Sequence, residues 1–191
     1  MSYVERVPAD KLPEVVAADA AALDLAANYL RVFAHRPAAY AAWKQLVGAI
    51  KETMDERRYE LATLAAARRL RSSYCSLAHG KVLAERFYSP PEVAAIARGE
   101  TGALDEVDVA VMDLAGKIAG DAGSVTEADV ERLRELGLSD DEIVDVALAA
   151  AARSFFTKTL DGLGVQPDST YLDLDPVLRD ALTVGRPIAT R

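Results

Sequence analysis

One cysteine, two histidines and one tryptophan in 191 residues leave this chain few reactive side chains. A single cysteine cannot close an internal disulfide. With two histidines it cannot complete a typical four-ligand zinc site unless carboxylates join, so neither a disulfide framework nor structural zinc is expected. No run approaches the roughly 18 apolar residues of a membrane span, and the N-terminal Met-Ser-Tyr-Val-Glu-Arg-Val-Pro has no apolar core preceded by positive charge. The expectation is a soluble, cytoplasmic protein without a membrane partner. Cations are also in deficit. A net charge of −8 argues against general nucleic-acid binding, which needs a basic face to neutralise phosphates. The acidity sits in the second half, with 8 Lys/Arg against 18 Asp/Glu after residue 100, whereas residues 1–100 carry 14 against 12.

Aromatic residues make up 6% of a chain that is 51% apolar, and alanine supplies much of the difference. That composition favours closely packed helices over a sheet of β-branched and aromatic residues. No stretch alternates apolar and polar residues long enough for a half-buried strand, while helix punctuation recurs throughout. The expected fold is all-α, a compact single-domain bundle of about eight or nine helices across residues 1–191. Leu12 to Phe33 carries helical spacing in one helix or two. Pro37 suits the first turn of a helix through Trp43 and Ile50, Asp55 caps the next, and Ser89-Pro90-Pro91 stops the one after that. Thr126 with Asp129 and Ser139 with Glu142 are capping boxes that start helices at about residues 127 and 140. The tail beyond residue 168 is expected to pack less tightly.

Between Arg57 and Gly80 the chain places Glu60, Cys75 and His79 at informative spacing. Ser72 or Ser73 is suited to cap the helix that carries Cys75, so the positive end of the helix dipole faces the thiol and favours thiolate. Arg68, Arg69, Arg71 and Lys81 would act the same way. His79 follows Cys75 by four residues, which places both on one face with Cβ atoms about 5–6 Å apart. The helices on either side of Arg71 are expected to form an antiparallel hairpin. Glu60 lies eleven residues before that turn and His79 eight after it, an axial offset of about 4–5 Å at 1.5 Å per residue. The order Glu60, His79, Cys75 lets a carboxylate orient an imidazole that takes the thiol's proton directly or through water. The competing reading is that Cys75 and His79 are core residues on an apolar stripe. Tyr74 adjoins the thiol as a site-lining or shielding aromatic, Ser72 lines the site or serves as a helix cap, His35 reads as a surface or capping residue, and Trp43 as core.

The run Glu60, eleven residues, Ser72, two residues, Cys75, three residues, His79 resembles the motif of the alkylhydroperoxidase D and carboxymuconolactone decarboxylase superfamily. Three of its four positions match, and the likeness extends from about Pro13 to Asp168, nearest to the peroxidase-related branch. The resemblance implies an all-α fold and a homo-oligomer. It also implies that Cys75 attacks the peroxide while Glu60 and His79 relay protons. Peroxidase members carry a cysteine where this chain has Ser72, so an external thiol or another protein's cysteine would have to resolve an oxidised Cys75.

The leading expectation is therefore a thiol-dependent peroxidase with an antioxidant role, acting on hydroperoxides through one cysteine with no cofactor. The alternatives are an acid/base decarboxylase or related lyase using Glu60 and His79, with the local basic residues suiting an acidic substrate, and a catalytically inactive helical assembly protein.

Overall fold

The computed structural model describes residues 2–191, and its regular structure is helical throughout. Among the described residues there are ten α-helices: α1 (Glu14–Ala22), α2 (Asn28–Phe33), α3 (Pro37–Thr53), α4 (Glu56–Arg69), α5 (Ser73–Arg86), α6 (Pro90–Ala97), α7 (Glu106–Asp121), α8 (Glu127–Glu135), α9 (Asp140–Gly162) and α10 (Pro176–Leu182). Among the described residues no helix is long and apolar enough to cross a membrane. Leu12 to Phe33 resolves into two helices, and the capping boxes at Thr126 and Ser139 start α8 and α9 at the expected residues.

Helix α4 lies at the centre, packed against α5, α7 and α9. Its sequence explains this position. Tyr59, Ala62 and Ala66 face a core shared with α7 and α9, Ala67 faces one shared with α2 and α3, and Leu61 and Leu64 face one shared with α6 and α10. Alanines on α4 meet Ala110 and Ala115 of α7 and Ala149 and Ala150 of α9, so the backbones can approach closely. A helix surrounded this way buries eight of its fourteen side chains, including Glu60 at 2% exposure.

The α4–α5 connection takes three residues. Ser72 N–H donates to the Ala67 carbonyl at 2.9 Å and Arg71 N–H to Arg68 at 2.9 Å, a Schellman ending with Arg71 in the left-handed region at φ 57°. Ser72 then occupies the N-cap position of α5, but its hydroxyl makes no capping bond. Asp55 does cap α4, accepting from Arg58 N–H at 2.9 Å.

The tail departs from expectation. Residues 176–182 form α10, whose Leu178 and Leu182 are 2% and 0% exposed, and Leu182 lies so near Gly80 that a Cβ there would come within 2.5 Å of it. This segment packs as tightly as the rest because the glycine on α5 leaves a seat for a leucine. Beyond it the chain crosses the start of α5. Gly185 N–H donates to Ser73 Oγ at 2.8 Å, and its Cα approaches Arg71 so closely that a Cβ would sit 1.9 Å from that carbonyl oxygen.

Candidate active site

The hairpin places Glu60 of α4 beside His79 of α5, with Glu60 Oε2 2.5 Å from Nδ1. Lys51 Nζ of α3 stands 3.4 Å from the other carboxylate oxygen and 4.8 Å from the centre of the Tyr59 ring. The Tyr59 ring in turn meets the imidazole edge-on. Burial pushes the Glu60 carboxyl up, but the imidazole, Lys51 and Arg153 together outweigh it and hold the group below its ordinary range. For His79, burial and then the Arg153 charge favour the neutral ring over the opposing pull of Glu60. The direction consistent with both is an ionised Glu60 accepting from the Nδ1–H of a neutral imidazole, which leaves Nε2 as an acceptor.

Cys75 lies one turn before His79 and is 1% exposed. Among the described residues its hydrogen-bond partners come from α9: Thr157 Oγ1 stands 3.1 Å from the sulfur and Arg153 Nη1 stands 3.8 Å away. Among the described residues no direct hydrogen bond joins the sulfur to His79, so of the two expected routes, direct or through water, the direct one is not formed here. Arg153 is 5% exposed, reaches the Tyr59 hydroxyl with Nη2 at 3.4 Å, and keeps its Nε buried without a hydrogen-bond partner. Its guanidinium also lies against Trp43 and Phe156, 5.9 and 5.4 Å from their ring centres. Burial works against its charge, yet the neighbouring sulfur and Tyr59 raise its affinity for the proton, so Arg153 stays cationic.

Cys75, His79 and Arg153 line one cavity of about 740 Å³. Trp43, Tyr29, Phe156 and Tyr171 supply much of its apolar wall, so Trp43 serves the cavity as well as the core. Tyr74 lines it too, its hydroxyl donating to the buried Asp168 carboxylate, which also accepts from Asn28 N–H at 2.9 Å. Ser72 does not line it: its hydroxyl is buried at the start of α5, away from the cavity. Of the four cations near Cys75 in sequence, only Lys81 reaches the cavity. Arg68 turns to the Ala181 carbonyl at 2.7 Å and Arg69 packs against Gly120, because the last turn of α4 points them outward. His35 is exposed, with Nε2 2.7 Å from the Glu5 carbonyl, as its surface reading expected. Among the described residues no three His, Cys, Asp or Glu side chains gather in a way that could hold a metal ion.

Neither a family model nor a curated protein matches the sequence. Solved structures do match. The alkylhydroperoxidase AhpD core of an uncharacterized peroxidase-related protein from Ralstonia eutropha JMP134 superposes with a TM-score of 0.79 at 22% identity, covering 89% of this chain and 94% of that one. This chain has the alkylhydroperoxidase D-like fold. An uncharacterized peroxidase-related protein from Silicibacter sp. TM1040 agrees at TM-score 0.78 and 19% identity, over 90% of this chain and 94% of that one. A cysteine-to-alanine variant of the debrominase Bmp8, in complex with 2,3,4-tribromopyrrole, gives 0.71 at 14% identity, over 94% of this chain and 93% of that one. Within the alkylhydroperoxidase D-like fold, the hairpin that brings Glu60 to His79 is the α4–α5 pair at the centre of the bundle.

The buried Glu60–His79 pair gives stability a pH dependence of definite sign. Folding lowers the proton affinity of both groups, so the unfolded chain binds more protons as pH falls below the ordinary imidazole value of 6.5 and then the ordinary carboxyl value of 4.5. Acid therefore favours unfolding. Thermal melts followed by circular dichroism are expected to show a midpoint falling from neutral pH toward pH 5, with a shallower slope in His79→Gln. A slope unchanged in that variant would contradict the assignment.

Proposed function

We propose that this protein is a thiol-dependent peroxidase that reduces hydroperoxides through Cys75. The observation that supports this reading best is the Cys75 sulfur receiving Thr157 Oγ1 at 3.1 Å and a carboxylate-free, buried Arg153 at 3.8 Å, beside a cavity that His79 also lines. Two donors directed at one sulfur, one of them cationic, complement the negative charge that sulfur carries while it reacts. The thiolate attacks the terminal oxygen of R–O–O–H and forms a sulfur–oxygen bond while the O–O bond breaks. His79 Nε2 accepts the proton from the attacked oxygen and returns it to the departing alkoxide, giving sulfenate and R–OH. Glu60 holds Nδ1–H and so fixes the ring tautomer, and Arg153 remains as counter-ion to the sulfenate.

The test is hydroperoxide consumption with a thiol reductant present. Turnover that is lost without Cys75 and slowed without His79 is expected, and no turnover across alkyl and aromatic hydroperoxides would oppose the reading. The aromatic wall of the cavity also suits a halogenated ring, the ligand class of the debrominase that shares the fold. Debromination of 2,3,4-tribromopyrrole without hydroperoxide turnover would replace the peroxidase reading.

Ser72 stands where a resolving cysteine would sit, three residues before Cys75, with both side chains buried at the start of α5. Ser72→Cys is expected to form an internal disulfide on mild oxidation, seen as the loss of two hydrogens by mass spectrometry. Two free thiols after that treatment would count against this placement.

The homo-oligomer implied by the family resemblance finds support on the outer side of α9. Val144, Leu148 and Phe155 are 54%, 42% and 50% exposed, and with exposed Ala151 they form a stripe at the four-three-four spacing of a helix-to-helix seam. The same helix carries Arg153 and Thr157 on its inner side, so pairing with a second copy would brace the site. Leu148→Glu is expected to lower the mass measured by sedimentation, and an unchanged oligomer would remove this face from consideration.

A further inference from the structure

We infer that oxidised Cys75 is returned to the thiol by a low-molecular-weight thiol entering the cavity, and not by a cysteine of a protein partner. The inference rests on the peroxidase reading and names the reductant class for that site. A disulfide requires its two Cα atoms to approach within about 4.4–6.8 Å. A protein thiol that attacks Cys75 must therefore bring its own backbone to about that distance from the first turn of α5. Two of its flanks are covered. Helix α9 covers the sulfur with Thr157 and Arg153, and Tyr74 and Cys75 are themselves only 3% and 1% exposed.

On the second flank the C-terminal segment lies across the start of α5 as a strap. Gly185 N–H is bonded to Ser73 Oγ, Arg186 Nη2 donates to the Asp161 carbonyl at 2.8 Å, and Ala189 N–H donates to the Pro167 carbonyl at 2.9 Å. Ser72 and Ser73 beneath it are fully buried. What stays open is the cavity, whose 740 Å³ falls in the range of about 300–1,000 Å³ that receives a small organic molecule. Arg153 lines it and gives its wall a cationic guanidinium beside the sulfur.

The chemistry balances with two small thiols. The first, R–SH, attacks the sulfenic sulfur, forming Cys75–S–S–R and releasing the oxygen as water. The second attacks the mixed disulfide, forms R–S–S–R and leaves Cys75 as thiolate, with its proton taken up by solvent or His79.

The experiment separates access from peroxide chemistry. Cys75 of the full chain is converted to its methyl mixed disulfide with methyl methanethiosulfonate, and release of the methylthio group is followed by mass spectrometry with 2-mercaptoethanol or with reduced thioredoxin at equal thiol concentration. Thioredoxin has the lower thiol pKa and is the more reactive at neutral pH, so an excess of at least ~10-fold for the small thiol is the expected sign of exclusion. Faster release by thioredoxin, or no reaction with the methanethiosulfonate at all, would overturn the inference. Gly185→Ala places a methyl group against the Arg71 carbonyl and is expected to loosen the strap. It should raise the thioredoxin rate at least ~5-fold while the 2-mercaptoethanol rate stays within about 2-fold. Arg186→Ala should do the same by a milder route, and no gain in either variant would overturn the role of the strap. Separately, failure to trap a sulfenic acid after hydroperoxide treatment would overturn the peroxidase reading itself.

Discussion

Cys75→Ser is expected to reduce hydroperoxide turnover by at least ~10³-fold while the fold survives, since a hydroxyl at the same position is no nucleophile at neutral pH. The substitution is nearly isosteric, and Thr157 Oγ1 can still bond the new oxygen. Comparison with His79→Ala gives the result its meaning. If the reaction begins at sulfur, loss of Cys75 removes it entirely, whereas loss of His79 leaves the slower attack of a thiolate with no proton relay. Activity retained in Cys75→Ser but lost in His79→Ala would instead favour the acid/base lyase, in which Glu60 and His79 act alone. Correct assembly without reactivity in the unmodified protein would favour an inactive scaffold.

Arg153→Met is expected to slow alkylation of Cys75 by iodoacetamide at neutral pH by about 10- to 100-fold. The reason is local charge. Among the described residues Arg153 is the cation in hydrogen-bond contact with the sulfur, it is 5% exposed, and no carboxylate forms an ion pair with it. Methionine keeps much of the volume and removes the charge. Arg153→Lys restores the charge on a different frame and should recover part of the alkylation rate, which a purely packing role would not do. An unchanged alkylation rate in Arg153→Met would show that helix α5 and Thr157 suffice. Loss of the cation should also relieve its pressure on His79, whose imidazole would then protonate more readily.

The difference between what was legible in the sequence and what was not follows chain distance. Glu60 and His79 lie on neighbouring helices joined by a three-residue turn, so counting rise per residue sufficed to bring them together, and the 2.5 Å contact agrees. Helix starts at Asp55, Thr126 and Ser139 were equally readable, because capping chemistry is written within four residues. Arg153 and Thr157 were missed, since they stand 78 and 82 residues after Cys75. One signal was available: Arg153 is the only charge between Asp145 and Lys158, in an alanine-rich run where a cation is costly to bury unless something answers it.

The basic residues near Cys75 misled for the complementary reason. Arg68, Arg69 and Arg71 are near the thiol along the chain, but α4 ends with them facing α10, Gly120 and the turn. The tail was misjudged because a seven-residue helix gives too short a period to read. Its place depends on Gly80, whose missing side chain is meaningful only once Leu182 is seen against it. The composition had already limited the fold to helices, and the alanines that fixed that class are those through which α4 meets α7 and α9.

The most direct measurement treats the protein with one equivalent of hydroperoxide in the presence of a dimedone-type trap and maps the adduct by mass spectrometry. The expected result is an adduct on Cys75, matched by loss of hydroperoxide and reduced in yield by Arg153→Met. A free Cys75 thiol with the hydroperoxide intact would contradict the proposed chemistry.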